Sequence, residues 1–325
     1  MTPEGIRGRR AAAAWGGGHL LDIERLARDE IERVLDLARE LKAAHGRGAL
    51  AQPLAGKLVA LLFFEPSTRT RSSFEIAAKR LGAQTVVWTS QGSSVSKGET
   101  LLDTALNLEA MGPDALVVRH AASGAAGLVA SRVGCAVLNA GDGAHEHPSQ
   151  ALLDAFTLRE RWGSLEGRTV VIVGDIAHSR VARSNLWCLT RLGARVRLCA
   201  PPTLLAPGLD RLGEPGRVTL HERLDRALEG ADAIMMLRIQ LERQGGGPPL
   251  VPSLREYARL FGLSERVAGE LPAGALVLHP GPINRGVELA HAVADGPRSV
   301  ILEQVENGVA VRMAALSLLV GGGRP

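Results

Sequence analysis

Two series of short apolar strands that alternate with helical patterns constrain the fold of this chain more than any other feature. The first series begins at Leu58–Phe64 and ends near residue 150, and the second runs from Thr169–Val173 to Leu276–Leu278. Strands that alternate with helices form parallel sheets. The length of 325 residues also suits two domains better than one. The sequence therefore predicts an α/β protein with two doubly wound parallel-sheet domains.

The predicted domain limits follow from where the two series meet. Residues 1–18, rich in Arg, Ala and Gly, are interpreted as a disordered N-terminal extension. The first helix is predicted at Leu21–Ala44 and the last at Val309–Leu319, from their apolar spacing. Doubly wound sheets bind ligands at the carboxyl ends of their strands, so we expect the active site in the cleft between the domains. The two domains are assigned to residues 19–149 plus 303–325 and to residues 150–302.

Composition restricts the classes of function. Hydrophobic residues make up 46% of the chain and aromatic residues 3%, which is typical of a globular protein with an aliphatic core. The net charge is +4 and the isoelectric point about 9.3. Basic character raises the alternative of a nucleic-acid-binding regulator, which steeply salt-dependent binding would support. The arginines are scattered and few aromatic side chains are available for stacking, so anionic small substrates are favoured and no nucleic acid partner is expected.

Neither a membrane nor a metal is expected to take part. The longest apolar run, Leu58–Phe64, is too short to cross a bilayer. Cys135, Cys188 and Cys199 lack paired spacing and are interpreted as buried reduced thiols, which favours a cytoplasmic protein. The sequence contains no Cys/His cluster of the kind that binds zinc.

The segment Ser67-Thr68-Arg69-Thr70 lies where the strand Leu58–Phe64 meets a helical pattern. A helix N-terminus offers unpaired N–H groups and the positive end of the helix dipole. Hydroxyl donors and a guanidinium at that place favour phosphate binding. An ordinary N-cap is the alternative, but it explains one hydroxyl and not three that alternate with arginines.

Three further segments offer groups suited to an anionic substrate. Lys97 stands in a Ser- and Gly-rich loop and fits a lid that closes over an anion, although a solvated loop fits equally well by composition. Arg119 ends a strand, where it could bind phosphate and carbonyl oxygens together. The alternative interpretation is an ordinary surface arginine. His279-Pro280-Gly281-Pro282 exposes backbone carbonyls. His145 is interpreted as structural.

Five motifs together resemble the aspartate and ornithine carbamoyltransferases over roughly residues 19 to 319. Phe64-Glu-Pro-Ser-Thr-Arg-Thr-Arg71 resembles their carbamoyl phosphate signature. His147-Pro148-Ser149-Gln150 is similar to their His-Pro-Thr-Gln or His-Pro-Cys-Gln motif and departs from it at Ser149. The other matches are Ser-Lys-Gly-Glu-Thr at 96–100, the Arg-x-Gln motif at 238–240 and His279-Pro280-Gly281-Pro282.

The resemblance implies a set of roles for these residues. His147 would donate to the carbamoyl oxygen, and Gln150 and the carbonyls of Pro280 and Gly281 would accept from the carbamoyl NH2. Arg180 would bind the α-carboxylate of aspartate, and Arg238 with Gln240 its β-carboxylate. Glu65 and Arg243 resemble the charged pair that holds the domains closed. The implied catalytic residues are Arg69, Thr70, Lys97, Arg119 and His147, and Ser67, Thr68 and Ser93 complete the phosphate-binding set.

The resemblance also implies a reaction and an assembly. We expect transfer of the carbamoyl group of carbamoyl phosphate to L-aspartate, the committed step of pyrimidine synthesis, without a cofactor. The ornithine branch is the alternative, but its His-Cys-Leu-Pro and Asp-x-x-x-Ser-Met-Gly motifs are absent from the sequence. The family implies a homotrimer whose active site lies at a subunit interface, with Ser93 and Lys97 supplied by the neighbouring subunit. A regulatory chain or a dihydroorotase partner stays open.

Overall fold

The computed structural model describes residues 15–89, 99–239, 250–251 and 253–321, and the chain divides into two units. Unit 1 consists of Met1–Leu152 and Glu306–Pro325, and unit 2 of Leu153–Val305. Both limits fall inside helices, so no linker marks them in the sequence.

Unit 1 is built on a four-stranded parallel sheet with the strand order β2-β1-β3-β4. Its strands are β1 (Leu58–Phe63), β2 (Gln84–Thr89), β3 (Ala115–His120) and β4 (Ala136–Asp142). Its helices are α1 (Arg28–Gly46), α2 (Thr68–Arg80), α3 (Leu101–Glu109), α4 (Ala125–Ala130) and the first part of α5 (Pro148–Trp162). The last part of the final helix, α11 (Ile301–Val320), belongs to the same unit.

Unit 2 is built on a five-stranded parallel sheet with the strand order β7-β6-β5-β8-β9. Its strands are β5 (Thr169–Val173), β6 (Arg195–Cys199), β7 (Val218–His221), β8 (Ala233–Met236) and β9 (Leu276–Leu278). Its own helices are α6 (Arg180–Arg191), α7 (Leu224–Leu228), α8 (Leu254–Phe261), α9 (Glu265–Gly269) and α10 (His291–Ala294).

Each sheet is the centre of a separate apolar core. All five residues of β5 and all four of β8 are buried, as expected for parallel strands covered by helices on both faces. In unit 1, Leu62, Leu116 and Val118 pack in one buried cluster. The predicted class of two parallel-sheet α/β domains is confirmed.

The predicted helix at Leu21–Ala44 is wrong at its N-terminal end, because α1 begins at Arg28. The N–H groups of Ile23 and Glu24 donate to the Glu146 carboxylate at 2.8 and 3.2 Å. These bonds fix the backbone before α1 in a non-helical path. Ile23 is nevertheless fully buried. Its apolar side chain therefore extends the apolar spacing of α1 in the sequence, although the residue is not helical.

The predicted disordered extension, residues 1–18, differs from the structure at its C-terminal end. Residues 1–14 lie outside the described part of the chain, whereas Trp15–Gly18 forms a 3-10 turn. The Trp15 side chain is buried, and its Nε1 donates to the Glu30 carbonyl at 2.9 Å. Burial of the large indole orders these residues, since it removes much apolar surface from water.

Candidate active site

The N-terminus of α2 follows the carboxyl end of β1 after a short turn. Ser67 is the N-cap residue, in extended conformation, and its side chain makes no capping hydrogen bond. The first N–H groups of an α-helix have no intrahelical acceptor, and the helix dipole is positive there. Arg69 in the first turn is exposed and Thr70 is buried. This arrangement suits an anionic group such as phosphate.

Arg119 lies at the same edge of the unit 1 sheet, because β3 is the parallel neighbour of β1 and Arg119 is in register with Phe63. The side chain is 14% exposed, with its Nε 3.5 Å from Glu65 Oε2. Its Nη1 donates to the Ala140 carbonyl at 3.1 Å. These contacts hold the guanidinium beside Glu65, which lies two residues before the N-cap of α2. The predicted partner of Glu65, Arg243, lies outside the described residues.

His147 immediately precedes α5, and Gln150 lies in its first turn. The helix follows β4, which pairs with β3 on the edge opposite to β1. Both side chains are largely buried, at 4% and 7% exposure. The His147 carbonyl accepts from the Gln150 N–H at 2.9 Å, so the residue also closes the first turn of the helix.

Two buried carboxylates that the sequence prediction missed support this segment. Asp142 accepts from Gly124 N at 2.7 Å and from Asn139 Nδ2 at 2.8 Å. Glu146 precedes His147 and accepts from the backbone before α1, as described above. Their signal in the sequence is weak, because acidic residues in a Gly-rich segment ordinarily indicate a solvated loop.

His145 is held by Asp142, which agrees with the structural interpretation. Its Nδ1 lies 3.0 Å from Asp142 Oδ2, and the hydrogen bond to Asp142 raises the pKa of His145 above its ordinary value of 6.5. The charges of Asp142, Glu146 and Asp22 raise this pKa further, and partial burial opposes them.

The raised pKa of His145 predicts a pH-dependent contribution to stability. A group whose pKa is higher in the folded state than in the unfolded state stabilises the fold. This stabilisation is complete when the pH is below the unfolded-state pKa, and it is lost as the pH rises through the folded-state pKa. The free energy of unfolding of the wild type should therefore fall as pH rises above about 6.5, relative to that of His145→Gln. Urea unfolding at a series of pH values measures the difference. A difference that does not change with pH would contradict the prediction.

Unit 2 brings three predicted segments to one edge of its sheet. Arg180 is the first residue of α6, after β5, and Arg238 follows β8 closely. The next strand, β9, ends just before His279. Because β5, β8 and β9 are parallel and adjacent, their carboxyl ends lie side by side.

Gly174 permits the close approach of β5 and β8 at this edge. Its φ is +140°, and a Cβ atom there would lie 2.6 Å from the Leu237 carbonyl oxygen. The Leu237 N–H donates to Val173 O at 2.7 Å. Beyond the glycine, Ser179 caps α6 by accepting from Ala182 N at 3.1 Å. Tight packing and this cap fix the backbone on which Arg180, only 4% exposed, is placed.

The Pro280–Gly281 turn is shaped by the buried side chain of His279. Its Nδ1 accepts from Gly281 N at 2.8 Å, so its proton is on Nε2, which donates to Glu288 Oε1 at 3.3 Å. Both Glu288 and His279 are almost wholly buried. The backbone of this turn is therefore held in one conformation, with Gly281 at a positive φ of 66°.

Four predicted site residues lie outside the described part of the chain: Ser93, Lys97, Gln240 and Arg243. Within residues 15–89, 99–239, 250–251 and 253–321, no group of three or more His, Cys, Asp or Glu side chains is arranged to hold a metal ion. No helix in those ranges combines the length and apolar character needed to cross a membrane. Cys188 and Cys199 are buried as free thiols, whereas Cys135 is only partly buried, which corrects the prediction for that residue.

Two family models match consecutive parts of the chain. Residues 18–160 match the carbamoyl-P binding domain of the aspartate/ornithine carbamoyltransferases. Residues 166–319 match the Asp/Orn binding domain of the same family.

Curated relatives match over nearly the whole chain. The aspartate carbamoyltransferase catalytic subunit of Myxococcus xanthus is 65% identical over 302 residues, which are 92% of this chain and 98% of the relative. The protein of the same name from Geobacter sulfurreducens is 56% identical over 93% of this chain and 96% of the relative.

Solved structures of both branches of the family have a similar fold. Ornithine carbamoyltransferase from Pyrococcus furiosus gives a TM-score of 0.87 at 29% identity, over 96% of this chain and 100% of that chain. Aspartate transcarbamoylase from Trypanosoma cruzi, in complex with carbamoyl aspartate and phosphate, gives 0.83 at 30% identity, over 93% and 95%. Similarity of fold therefore does not distinguish the two acceptors.

Proposed function

The chain belongs to the aspartate/ornithine carbamoyltransferase family, and from this premise we infer that it transfers the carbamoyl group of carbamoyl phosphate to L-aspartate. The products are N-carbamoyl-L-aspartate and phosphate, in the committed step of de novo pyrimidine synthesis. The observation that carries this inference is the 55–65% identity to relatives named aspartate carbamoyltransferase catalytic subunit. The ornithine carbamoyltransferase from Pyrococcus furiosus is 29% identical, and the two acceptor motifs of the ornithine branch are absent from the sequence.

The phosphate of carbamoyl phosphate binds at the N-terminus of α2 in this proposal. Ser67, Thr68, Arg69 and Thr70 supply hydroxyls, N–H groups and a guanidinium. The uncapped side chain of Ser67 and the exposure of Arg69 support this role, because neither is needed to complete the helix. Ser93 and Lys97, from a neighbouring subunit, complete the phosphate site.

The carbamoyl group lies between donors for its oxygen and acceptors for its NH2. Thr70, Arg119 and His147 donate to the oxygen, which gains negative charge as the amine attacks the carbonyl carbon. The position of Arg119 at 3.5 Å from Glu65 and 3.1 Å from Ala140 supports this role, since a fixed donor needs little reorganisation during the reaction. The acceptors for the NH2 group are Gln150 and the carbonyls of Pro280 and Gly281.

The amine adds to the carbonyl carbon and phosphate is then expelled, without a covalent bond to the enzyme. The lone pair of the aspartate amine forms the new C–N bond, and the C–O bond to phosphate breaks with its electron pair left on phosphate. The departing phosphate accepts the proton that the amine loses. The chain contributes orientation and electrostatic stabilisation, which together account for large rate enhancements.

Aspartate is bound through its two carboxylates. Arg180 binds the α-carboxylate, and Arg238 with Gln240 binds the β-carboxylate, while Lys97 contacts the same substrate. Arginine suits this role because its planar fork forms two parallel bonds to a carboxylate. Arg180 and Arg238 both follow the carboxyl ends of adjacent strands, which supports the assignment.

The assembly is proposed from the family alone. We propose a homotrimer whose active sites are shared between subunits, in the cytoplasm, with a regulatory chain or a dihydroorotase as further candidate partners. The free thiols among the described residues are consistent with a reducing compartment.

A shared site predicts that two inactive variants restore activity when mixed. Lys97→Ala and Arg119→Ala would each be inactive alone, but a hybrid trimer contains a site with neither substitution. Subunits are exchanged under mild denaturation and activity is measured after reassembly. Mixing two preparations of the same variant is the control. Exchange confirmed by mass spectrometry with no recovered activity would count against the shared site.

The proposed role in pyrimidine synthesis is tested by complementation. A bacterial strain that lacks its own aspartate carbamoyltransferase requires uracil for growth. Expression of this chain should remove the requirement, and expression of the Arg69→Ala variant at the same level should not. No growth without uracil, despite soluble protein, would contradict the proposed function.

A further inference from the structure

Three polar side chains and one backbone N–H group form a buried hydrogen-bonded cluster within unit 2. The side chains are those of Asp154 on α5, Asn185 on α6 and Gln304 on α11, and the N–H group is that of His279 after β9. Asp154 and Asn185 are fully buried, and the other two are 2% exposed. We refer to these four residues as the Asp154 cluster.

Asp154 is the centre of the cluster because each of its oxygens accepts from a different helix. Oδ1 accepts from Gln304 Nε2 at 2.7 Å, and Oδ2 accepts from Asn185 Nδ2 at 2.9 Å. The Asp154 carboxyl group therefore links α5 to both α6 and α11.

One arm of the cluster reaches the turn after β9. The amide NH2 of Gln304 donates to Asp154, and its Oε1 accepts from His279 N at 2.9 Å. The imidazole of His279 in turn accepts from Gly281 N. The Gln304 arm therefore fixes the first residue of the Pro280–Gly281 turn.

The other arm reaches α6. Asn185 donates both to Asp154 and to the Val181 carbonyl, at 3.0 Å, one turn earlier on its own helix. Val181 is the neighbour of Arg180, the first residue of α6. The Asn185 arm therefore fixes the first turn of the helix that carries Arg180.

A buried carboxylate is costly unless its bonds are fully satisfied, and apolar residues often replace such groups without loss of stability. Its presence here thus calls for a role other than stability. We propose that Asp154 is a positioning residue that joins the Pro280–Gly281 turn to the Arg180 end of α6. The proposal rests on the proposed function, in which the first segment contacts the carbamoyl group and the second the aspartate α-carboxylate.

The two arms predict kinetic effects on different substrates. Gln304→Met removes the bond to His279 at similar side-chain length, and it should raise KM for carbamoyl phosphate about fivefold, as the loss of one hydrogen bond implies. Asn185→Leu should raise KM for aspartate by a similar factor. Each variant should change the KM of the other substrate less than about twofold, which is below the effect of one such bond.

Asp154→Asn keeps the shape of the centre and should raise both KM values. The new NH2 group at position 154 would face the NH2 group of either Gln304 or Asn185, and two donors cannot bond to each other. Asn185 Oδ1 accepts no hydrogen bond among the described residues and could accept one from the new group. The Asn185 amide would have to rotate for this, and its bond to Val181 would be lost. Thr157→Val is the matched control. Thr157 is also fully buried on α5 and donates to Leu153 O within the helix, outside the Asp154 cluster.

Hydrogen exchange measured by mass spectrometry tests the same connection between the two segments and does not depend on enzyme activity. On the full chain, Gln304→Met should speed amide exchange at residues 279–283, and Asn185→Leu at residues 180–186, with the other segment unchanged. Asp154→Asn should affect both segments, and Thr157→Val neither. Equal changes in both segments for each arm variant, or no change in either, would overturn the proposal. A wild-type chain that makes no N-carbamoyl-L-aspartate would overturn the proposed function, and the exchange pattern would still decide the linkage.

Discussion

Arg69→Ala is expected to nearly abolish carbamoyl transfer while the fold is retained. Arg69 is exposed in the first turn of α2, so its removal leaves no cavity. A charge-assisted bond to phosphate that strengthens in the transition state is worth a few kcal/mol, or about a hundredfold in rate. Steady-state kinetics and the urea midpoint measure the two effects.

Arg80→Ala provides the matched control for this prediction. Arg80 is in the last turn of the same helix, and its loss removes the same charge far from the proposed phosphate position. The control should keep wild-type turnover. Activity of Arg69→Ala within about tenfold of wild type would exclude the proposed role, because one lost transition-state bond should cost more than that.

Arg238→Ala should weaken the use of aspartate strongly and leave carbamoyl phosphate binding nearly unchanged. Arg238 is partly buried at the end of β8, where a guanidinium that binds the β-carboxylate is shielded from water. The expected loss is about 2–5 kcal/mol, because the substrate carboxylate would be left desolvated without its partner. Gln240→Ala should lose less, since a neutral donor forms a weaker bond.

Calorimetry separates the two substrates, with succinate as an unreactive substitute for aspartate. Arg226→Ala is the control, because Arg226 is an exposed arginine of unit 2 that pairs with Glu229. Equal weakening of both ligands by Arg238→Ala would show that the residue supports the fold. Acceptor specificity would then have to be assigned to other residues.

The central strand of the unit 2 sheet was predictable from local sequence alone. β5 begins and ends at the predicted residues, because Thr169–Val173 consists of β-branched residues and is apolar after Thr169. The two parallel sheets then follow from the alternation of strands with helices. Local pattern is sufficient for β5 since all of its residues are buried, whereas the short, partly exposed β7 was not predicted.

Helix ends were less predictable because tertiary contacts determine them. The start of α1 is set by Glu146, which is more than one hundred positions away in the chain. The last helix begins at Ile301, well before the predicted Val309. Its first turns contain Gln304 and Asn307, which are polar and yet buried, so an apolar pattern cannot reveal them.

The same distinction applies to the candidate site. Ser67–Thr70 and His147 were predicted as site residues from local motifs in which several polar residues stand together. Asp154 stands alone in an apolar helical pattern, and its partners are far from it in the sequence. Residues that hold a site through distant hydrogen bonds leave no local signal, which is why the Asp154 cluster required the structure.

Competition between acceptors tests the central claim most directly. The purified chain is incubated with isotopically labelled carbamoyl phosphate and equal concentrations of L-aspartate and L-ornithine, and both labelled products and free phosphate are quantified. The account predicts N-carbamoyl-L-aspartate as the dominant product, formed in a one-to-one ratio with phosphate above the non-enzymatic background. Predominant label in citrulline, or release of phosphate without a labelled product, would contradict it.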